Sequence, residues 1–296
     1  MNKNLSIEPI EKLPGHKGAV YSIVASQDEN SFYTAGGNGM LLKWNLQNTY
    51  AAKLVAQIPS NVFTILPLED RGIMLAGSLQ GILYCFDLKK NRLFKELHFG
   101  KTIFDIKIYN DKIVVIDGTG KISLISMDDF SFTKQIVVSS KSIRSIDFSD
   151  KFVFGSSDSQ IYLSDDLNPP FTKLSHHQGS VFSSIFLNKK TIIAGSMDAQ
   201  MSIWKFDQKW YLHKNISAHL STINSIALNP NKKIFATGSR DKSIKIWDAQ
   251  NYKILKVINA EKYASPTASV NKLMWLNENI LISGGDDRAI MIWNIN

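Results

Sequence analysis

The stretch Arg240-Asp-Lys-Ser-Ile-Lys-Ile-Trp-Asp248 decides the fold, because it recurs along the chain. Residues 286–294 match it position for position, and Met197-Asp-Ala-Gln-Met-Ser-Ile-Trp204 matches it as well. Four earlier copies are recognisable, and the residues at the tryptophan position of all seven are Trp44, Phe86, Ile125, Ser164, Trp204, Trp247 and Trp293. These anchor positions lie 39 to 46 residues apart, and self-similarity at such a period indicates a repeat architecture. Seven repeats therefore account for the chain.

Each repeat is predicted to form four short strands. In the sixth repeat, apolar and β-branched residues alternate over residues 221–228, 234–238, 243–247 and 252–258. Asn229-Pro-Asn-Lys and Gly238-Ser-Arg-Asp-Lys supply turn residues between these segments. No amphipathic helix of useful length intervenes, so the predicted fold class is all-β.

A second period marks the outer strands. A lysine in an apolar context follows each of the first six anchors by nine or ten residues, and these lysines are Lys53, Lys95, Lys134, Lys173, Lys214 and Lys256. A lysine on an exposed edge strand discourages edge-to-edge aggregation. The seventh repeat has no such strand after Trp293, whereas Lys12 lies 41 residues before Lys53. We therefore predict that residues 5–13 pair onto the last blade and complete it.

The repeat resembles the WD repeat of β-propellers. Units of about 40 residues that end in Trp-Asp, some of them opening with Gly-His or Ala-His, are typical of that family. The resemblance is strong in repeats 1, 5, 6 and 7, whereas repeats 2, 3 and 4 are degenerate at the anchor and lack Gly-His. It implies a seven-bladed β-propeller of four-stranded antiparallel blades, closed by the N-terminal strand, with residues 1–296 as a single domain.

The resemblance also implies a structural tetrad of His, Ser or Thr, Asp and Trp within a blade. The matching residues are His16, Thr34, Asn38 and Trp44 in repeat 1, and His219, Thr237, Asp241 and Trp247 in repeat 6. A nucleophilic triad needs an exposed nucleophile beside an oxyanion hole and does not usually recur in copies, so the tetrads are interpreted as structural. Two further networks are expected to be incomplete, because repeat 5 has Ala194 at the hydroxyl position and repeat 7 lacks the histidine.

Composition predicts neither a metal nor a cofactor site. The single cysteine, Cys85, excludes an internal disulfide and Cys-based metal clusters, and it favours a reducing compartment. The pair His176-His177 has no evident further ligands, and the glycine-rich segments 36–39 and 118–121 complete no phosphate-binding fingerprint, so they are interpreted as hairpin turns. We therefore expect no enzymatic activity and no cofactor.

Charge and hydropathy indicate where the protein resides, but they do not identify its binding partner. The formal net charge is +8, but the basic residues are mostly lysines scattered along the chain, which makes nucleic acid an unlikely partner. No stretch approaches the roughly 18 apolar residues of a membrane span, and the first ten residues contain no apolar signal segment. A cytoplasmic location without membrane insertion is the expectation.

The candidate binding residues come from the first strand of each repeat. One position in the aligned strands varies between apolar neighbours, and the resemblance places it at the mouth of the central channel. Its occupants are Tyr21, Phe63, Phe104, Arg144, Phe182, Asn224 and Asn271. The resemblance adds the residue before the turn aspartate, which contributes Leu79, Met197, Arg240 and Asp286.

Two functions follow from this set. Clustered aromatic and arginine side chains are typical interface anchors, so the leading hypothesis is a non-enzymatic scaffold or adaptor that binds a peptide or protein segment over the aromatic-lined mouth. The alternative is an anion-directed module that binds nucleic acid or an acidic partner through lysines on the blade edges and through Arg144 and Arg240. A third interpretation, in which the aromatic residues only fill the channel against one another, stays open.

Overall fold

The computed structural model describes residues 5–48 and 52–296, so residues 1–4 and 49–51 of the predicted single domain lie outside the described part. The strands form seven four-stranded antiparallel sheets. The chain is a seven-bladed β-propeller, as the repeat predicts. It divides into two compact units, and we call residues 60–223 the central unit and residues 1–59 with 224–296 the terminal unit.

The central unit contains blades 2 to 5. Their strands are β6 (Val62–Leu68), β7 (Ile73–Ser78), β8 (Ile82–Asp87) and β9 (Arg92–His98); β10 (Ile103–Tyr109), β11 (Lys112–Asp117), β12 (Lys121–Ser126) and β13 (Phe132–Val137); β14 (Ile143–Phe148), β15 (Phe152–Ser156), β16 (Gln160–Ser164) and β17 (Thr172–Ser175); β18 (Val181–Asn188), β19 (Thr191–Ser196), β20 (Gln200–Asp207) and β21 (Lys209–Ser217). A three-residue 3-10 helix, Glu69–Arg71, joins β6 to β7.

The terminal unit contains blades 1, 6 and 7. Their strands are β2 (Val20–Ala25), β3 (Ser31–Gly36), β4 (Met40–Asn45) and β5 (Lys53–Gln57); β22 (Ile223–Leu228), β23 (Ile234–Ser239), β24 (Ile244–Asp248) and β25 (Ile254–Ile258); β26 (Val270–Trp275), β27 (Ile280–Gly285) and β28 (Ile290–Ile295), with β1 (Ile7–Leu13) as the fourth strand of blade 7. The short helix α1 (Ala260–Tyr263) precedes β26. No helix in the described part of the chain is long and apolar enough to cross a membrane.

Strand β1 completes blade 7, as predicted. It runs antiparallel to β28, with Ile7 opposite Ile295 and Leu13 opposite Ile290. The backbone N–H of Ser6 donates to the carbonyl of Asn296 at 2.9 Å, which extends the ladder by one residue. The last blade therefore takes its outer strand from the opposite end of the sequence.

The two sequence periods correspond to two strand positions in each blade, the third strand and the fourth. All seven anchors lie on the third strand of their blades and are buried, including the degenerate Phe86, Ile125 and Ser164. All six predicted outer-strand lysines lie on the fourth strands, and Lys12 lies on β1. The third strand is central in the sheet and packs between blades, whereas the fourth has a free edge. Burial of the third strand explains why most anchors are apolar, and the free edge of the fourth strand explains why a lysine recurs there.

Candidate functional site

A β-bulge positions the candidate binding residue in each blade of the central unit. The pairing of the first and second strands shifts register around Phe63, Phe104, Arg144 and Phe182. A bulged residue is not paired in the ladder, and the bulge can re-aim its side chain. Each of these four side chains is partly exposed, and the residue before each of them is buried. We call the four side chains the aromatic rim.

The members of the aromatic rim contact one another in sequence order. The rings of Phe63 and Phe104 meet edge to face with centroids 6.1 Å apart. The guanidinium carbon of Arg144 lies 4.3 Å from the centroid of Phe104 and 4.7 Å from that of Phe182. A guanidinium between two ring faces gains cation–π attraction on both sides. The rim is therefore a continuous stack across four blades that keeps part of its surface in solvent.

Two apolar side chains flank the rim. Leu79 is 41% exposed and Met197 is 54% exposed. The backbone N–H of Leu79 donates to Asn61 O at 2.9 Å, and that of Met197 donates to Ser180 O at 2.8 Å, which places each residue at the start of the strand carrying Phe63 or Phe182. The equivalent residue in blade 4, Ser157, accepts a hydrogen bond from Arg144 Nε at 2.9 Å.

The candidate residues of the terminal unit form a polar set. Asn271 Nδ2 donates to Asp286 Oδ1 at 2.7 Å, and Asn224 Nδ2 donates to Val270 O at 2.9 Å. Burial, together with the charge of Asp286, raises the pKa of Tyr21. Arg240 is exposed. The amide side chains of this set are engaged by their own chain, whereas Tyr21 is partly exposed at the register shift between Val20 and Ser22.

The structure brings the four tetrad residues of blade 1 together. His16 Nε2 lies 2.8 Å from Thr34 Oγ1, His16 Nδ1 lies 3.2 Å from Asn38 Oδ1, and Trp44 Nε1 donates to Thr34 Oγ1 at 2.8 Å. Burial lowers the pKa of His16, so its imidazole is neutral at neutral pH. A buried hydroxyl that already accepts from an indole N–H is not an exposed nucleophile, so this arrangement holds the blade together.

Blade 6 repeats part of this geometry within the terminal unit. Trp247 Nε1 donates to Thr237 Oγ1 at 2.8 Å, and Asp241 Oδ1 accepts from the Ser243 backbone N–H at 3.0 Å. His219, which belongs to the central unit, is buried. In blade 7, Trp293 Nε1 donates to Ser283 Oγ at 2.9 Å, and Asp287 accepts from the backbone N–H of Thr267 at 3.1 Å.

The expectation of an incomplete network in blade 5 is wrong. His177 Nε2 lies 2.8 Å from Ser202 Oγ, Trp204 Nε1 donates to the same oxygen at 3.0 Å, and His177 Nδ1 lies 3.1 Å from Asp198 Oδ2. Ser202, two residues before the anchor, thus supplies the hydroxyl that Ala194 lacks. The equivalent residues in blades 1 and 6 are Leu42 and Lys245, so family positions alone do not reveal this replacement.

Blade 4 uses the same position in a network that the sequence did not suggest. Tyr162, two residues before the anchor Ser164, donates its hydroxyl to Asp158 at 2.5 Å, and Ser139 Oγ donates to Asp158 at 2.7 Å. Burial, with the hydrogen bond to Asp158, raises the pKa of Tyr162 to about 12, so the phenol stays a donor. The sequence feature that could have revealed these networks is a hydroxyl-bearing residue two positions before the anchor.

Buried neutral histidine predicts acid sensitivity. Burial lowers the pKa of His177 below its ordinary value of 6.5, although Asp198 opposes the shift. The unfolded chain therefore binds a proton more readily, and the stability that neutral His177 contributes is present above pH 6.5 and lost as the pH falls below it. We expect the free energy of unfolding to fall between neutral and mildly acidic pH, and to fall less steeply in His177→Gln.

Urea unfolding at a series of pH values measures this slope. His98→Gln, which changes an exposed histidine at the end of β9, is the control and should retain the wild-type slope. An identical slope in wild type and His177→Gln would contradict the assigned role of His177.

Among the described residues, no three His, Cys, Asp or Glu side chains are grouped to hold a metal ion. Burial raises the pKa of Cys85 to about 12, so its thiol is unreactive at neutral pH. The candidate site is a surface of aromatic, aliphatic and guanidinium groups.

Comparison with known proteins agrees with the fold. The family model described as WD domain, G-beta repeat matches residues 7–45, 210–248 and 261–294. A solved structure, the WD40 beta propeller domain of Doa1, superposes with a TM-score of 0.84 at 16% sequence identity, covering 98% of this chain and 97% of that one. The family model therefore matches three separate stretches of a chain that folds as a seven-bladed β-propeller.

Among known proteins, Actin-interacting protein 1 of Drosophila melanogaster is 22% identical over 97% of this chain and 48% of its own length. An uncharacterized WD repeat-containing protein of Schizosaccharomyces pombe is 21% identical over the same shares. WD repeat-containing protein 37 of Mus musculus is 24% identical over 43% of this chain and 25% of its own length. The chain spans about half the length of the first two relatives.

Proposed function

We propose that the chain is a non-enzymatic protein-interaction scaffold and that its central unit binds a peptide or protein segment at the aromatic rim. The observation that carries this proposal is the stack of Phe63, Phe104, Arg144 and Phe182, which remains partly exposed on four bulged strands. Aromatic and arginine side chains are the residues most enriched at binding hot spots. The Drosophila relative is named for an interaction with actin, which supports the general class of function.

The apolar surface of the rim is large enough to bind a short peptide segment. Covering one large apolar side chain contributes roughly 1.5–3 kcal/mol before ordering costs. Three aromatic rings, with Leu79 and Met197 beside them, therefore supply enough for a contact with a dissociation constant on the order of micromolar. The binding is expected to depend on surface burial more than on long-range charge.

Selection of random peptides displayed on phage tests this proposal. Peptides enriched on wild type are synthesised, and their affinity is measured for wild type and for the Phe63→Ala/Phe104→Ala double variant. We expect the double variant to bind about 100-fold more weakly, because two ring contacts are lost. The Phe94→Ala/Phe132→Ala double variant removes two partly exposed phenylalanines from outer strands β9 and β13 and should bind like wild type.

Salt dependence separates this function from the anion-directed alternative. Binding that persists at high salt and is lost in the Phe63→Ala/Phe104→Ala variant supports the rim. Steep salt dependence that the double variant leaves unchanged, together with binding of a single-stranded oligonucleotide, would instead support recognition of anions by lysines of the blade edges.

A further inference from the structure

Arg144 is held in place but incompletely paired. Its guanidinium lies between the rings of Phe104 and Phe182, and its Nε donates to Ser157. Within the described residues, neither Nη1 nor Nη2 has a hydrogen-bond acceptor, and no carboxylate forms an ion pair with the group. Burial lowers the pKa of Arg144, but an arginine remains charged in proteins. The stack therefore presents a partly desolvated positive charge with a free fork of donors.

The nearby acidic residues do not supply the missing partner, because they are engaged within their own blades. Asp158 accepts from Ser139 and Tyr162, and Asp198 accepts from His177 and from the backbone N–H of Gln178. Asp117 accepts from the backbone N–H of Thr119 at 2.6 Å.

Two lysines add to the positive charge of this surface. Lys101 lies in the loop before β10, which carries Phe104, and Lys141 lies in the loop before β14, which carries Arg144. Both are exposed. The ammonium groups of Lys101 and Lys141 and the Arg144 guanidinium therefore offer cationic partners to an anionic group on a bound segment.

We propose that the segment bound at the aromatic rim carries an aspartate or glutamate whose carboxylate pairs with Nη1 and Nη2 of Arg144, flanked by apolar side chains that cover Phe63, Phe104 and Phe182. This inference rests on the proposed function and specifies the chemistry of the partner. The planar guanidinium fork matches the geometry of a carboxylate, and the two rings hold that fork in one orientation.

The position of the Arg144 guanidinium between the two rings also makes a carboxylate on the bound segment necessary for tight binding. A segment that covered the rings without offering an acceptor would bury the guanidinium further while leaving its donors unpaired, which is unfavourable. The rim therefore selects against purely apolar segments as well as for acidic ones. Arg144 supplies specificity, and the rings supply most of the contact area.

A double-mutant cycle tests the pairing. The peptides selected on wild type are expected to be enriched in Asp or Glu beside apolar residues. Replacing that acidic residue by its amide should weaken binding to wild type by about tenfold or more, but should have little effect in Arg144→Gln, because the partner group is already absent. Arg144→Lys, which keeps the charge without the planar fork, should give an intermediate loss.

The control for net charge is Arg92→Gln, which removes an exposed arginine from β9 and should bind like wild type. Thermal unfolding of each variant shows whether the fold is retained, and Arg144→Lys provides the comparison if Arg144→Gln is poorly folded.

The outcomes separate the two proposals. Peptides that depend on Phe63 and Phe104 but show no acidic enrichment, or an acid-to-amide change that acts equally in wild type and Arg144→Gln, would overturn the carboxylate pairing and leave the proposed function standing. Tighter binding of a phosphoserine version than of the glutamate version would assign the anion to phosphate and overturn the pairing too. Failure to select any peptide that depends on the rim would overturn the proposed function itself.

Discussion

Deletion of residues 1–13 is expected to lower the free energy of unfolding by at least about 4 kcal/mol. The deletion removes a complete strand and two buried aliphatic side chains, and truncating one such side chain costs about 2–5 kcal/mol. Ile7 packs in the core that blades 6 and 7 share, and Leu13 packs in the core that blades 7 and 1 share. A loss of this size is a large part of the roughly 5–15 kcal/mol that stabilises a typical domain. Urea unfolding followed by tryptophan fluorescence measures it.

Single substitutions in β1 provide a matched control. Leu13 is 1% exposed, whereas Ile10 is 52% exposed and lies at the bulge of β1. Leu13→Ala is expected to cost about 2–4 kcal/mol and Ile10→Ala less than about 0.5 kcal/mol. A deletion variant with the midpoint and slope of the wild type would show that blade 7 does not need its N-terminal strand.

Gly120→Ala is expected to destabilise the protein by about 2–5 kcal/mol, because two penalties add at this position. Gly120 lies in the turn between β11 and β12 with φ +85°, a backbone conformation that is unfavourable for residues with a side chain. A Cβ atom there would also lie 2.0 Å from Ser139 O and 2.6 Å from Lys141 O. The measurement is the free energy of unfolding in urea.

Gly100→Ala isolates the first penalty. Gly100 has φ +83°, but a Cβ atom there would meet no atom within 4 Å, so only about 1–2 kcal/mol is expected. Equal costs at the two positions would contradict the close approach at Gly120. Because the segment Ser139–Lys141 leads into β14, Gly120→Ala should also weaken peptide binding through Arg144, whereas Gly100→Ala should weaken it less.

The sequence predicted the number of blades and the origin of the last strand because both follow from periodic features. The anchors recur once per blade since the third strand is always buried, and the lysines recur since the fourth strand always has an edge. Even Ser164, which shares no chemistry with tryptophan, lies on the third strand of its blade. The spacing of the anchors was therefore sufficient to locate the third strand even in blades where the anchor is not tryptophan.

The geometry of the site was less accessible to sequence reasoning. The register shift at Phe104 is a property of the pairing between β10 and β11, and it leaves no periodic signature in either strand. The stack around Arg144 joins side chains from three blades, each about 40 residues from the next in sequence. Ser202 replaces a missing hydroxyl from a different strand, which only the structure shows.

The two units present different chemistry at equivalent strand positions. In the central unit, the bulged positions hold three aromatic residues and one arginine. In the terminal unit, the bulged positions hold Tyr21 and Asn271, of which Asn271 donates to Asp286, and the candidate Asn224 donates to Val270. This contrast explains why the proposed binding segment is assigned to the central unit. It also predicts that substitutions of Asn224 or Asn271 affect stability more than peptide affinity.

Protection of engineered cysteines tests the rim most directly. Native Cys85 is buried with a pKa of about 12, so a single introduced thiol is the only one expected to react at neutral pH. Leu79→Cys and Met197→Cys place that thiol beside the rim, and Val137→Cys places it on outer strand β13, where the native side chain is 65% exposed. We predict that a saturating selected peptide slows alkylation at residues 79 and 197 and leaves residue 137 unaffected. Protection at residue 137 without protection at residues 79 and 197 would contradict a binding site at the aromatic rim.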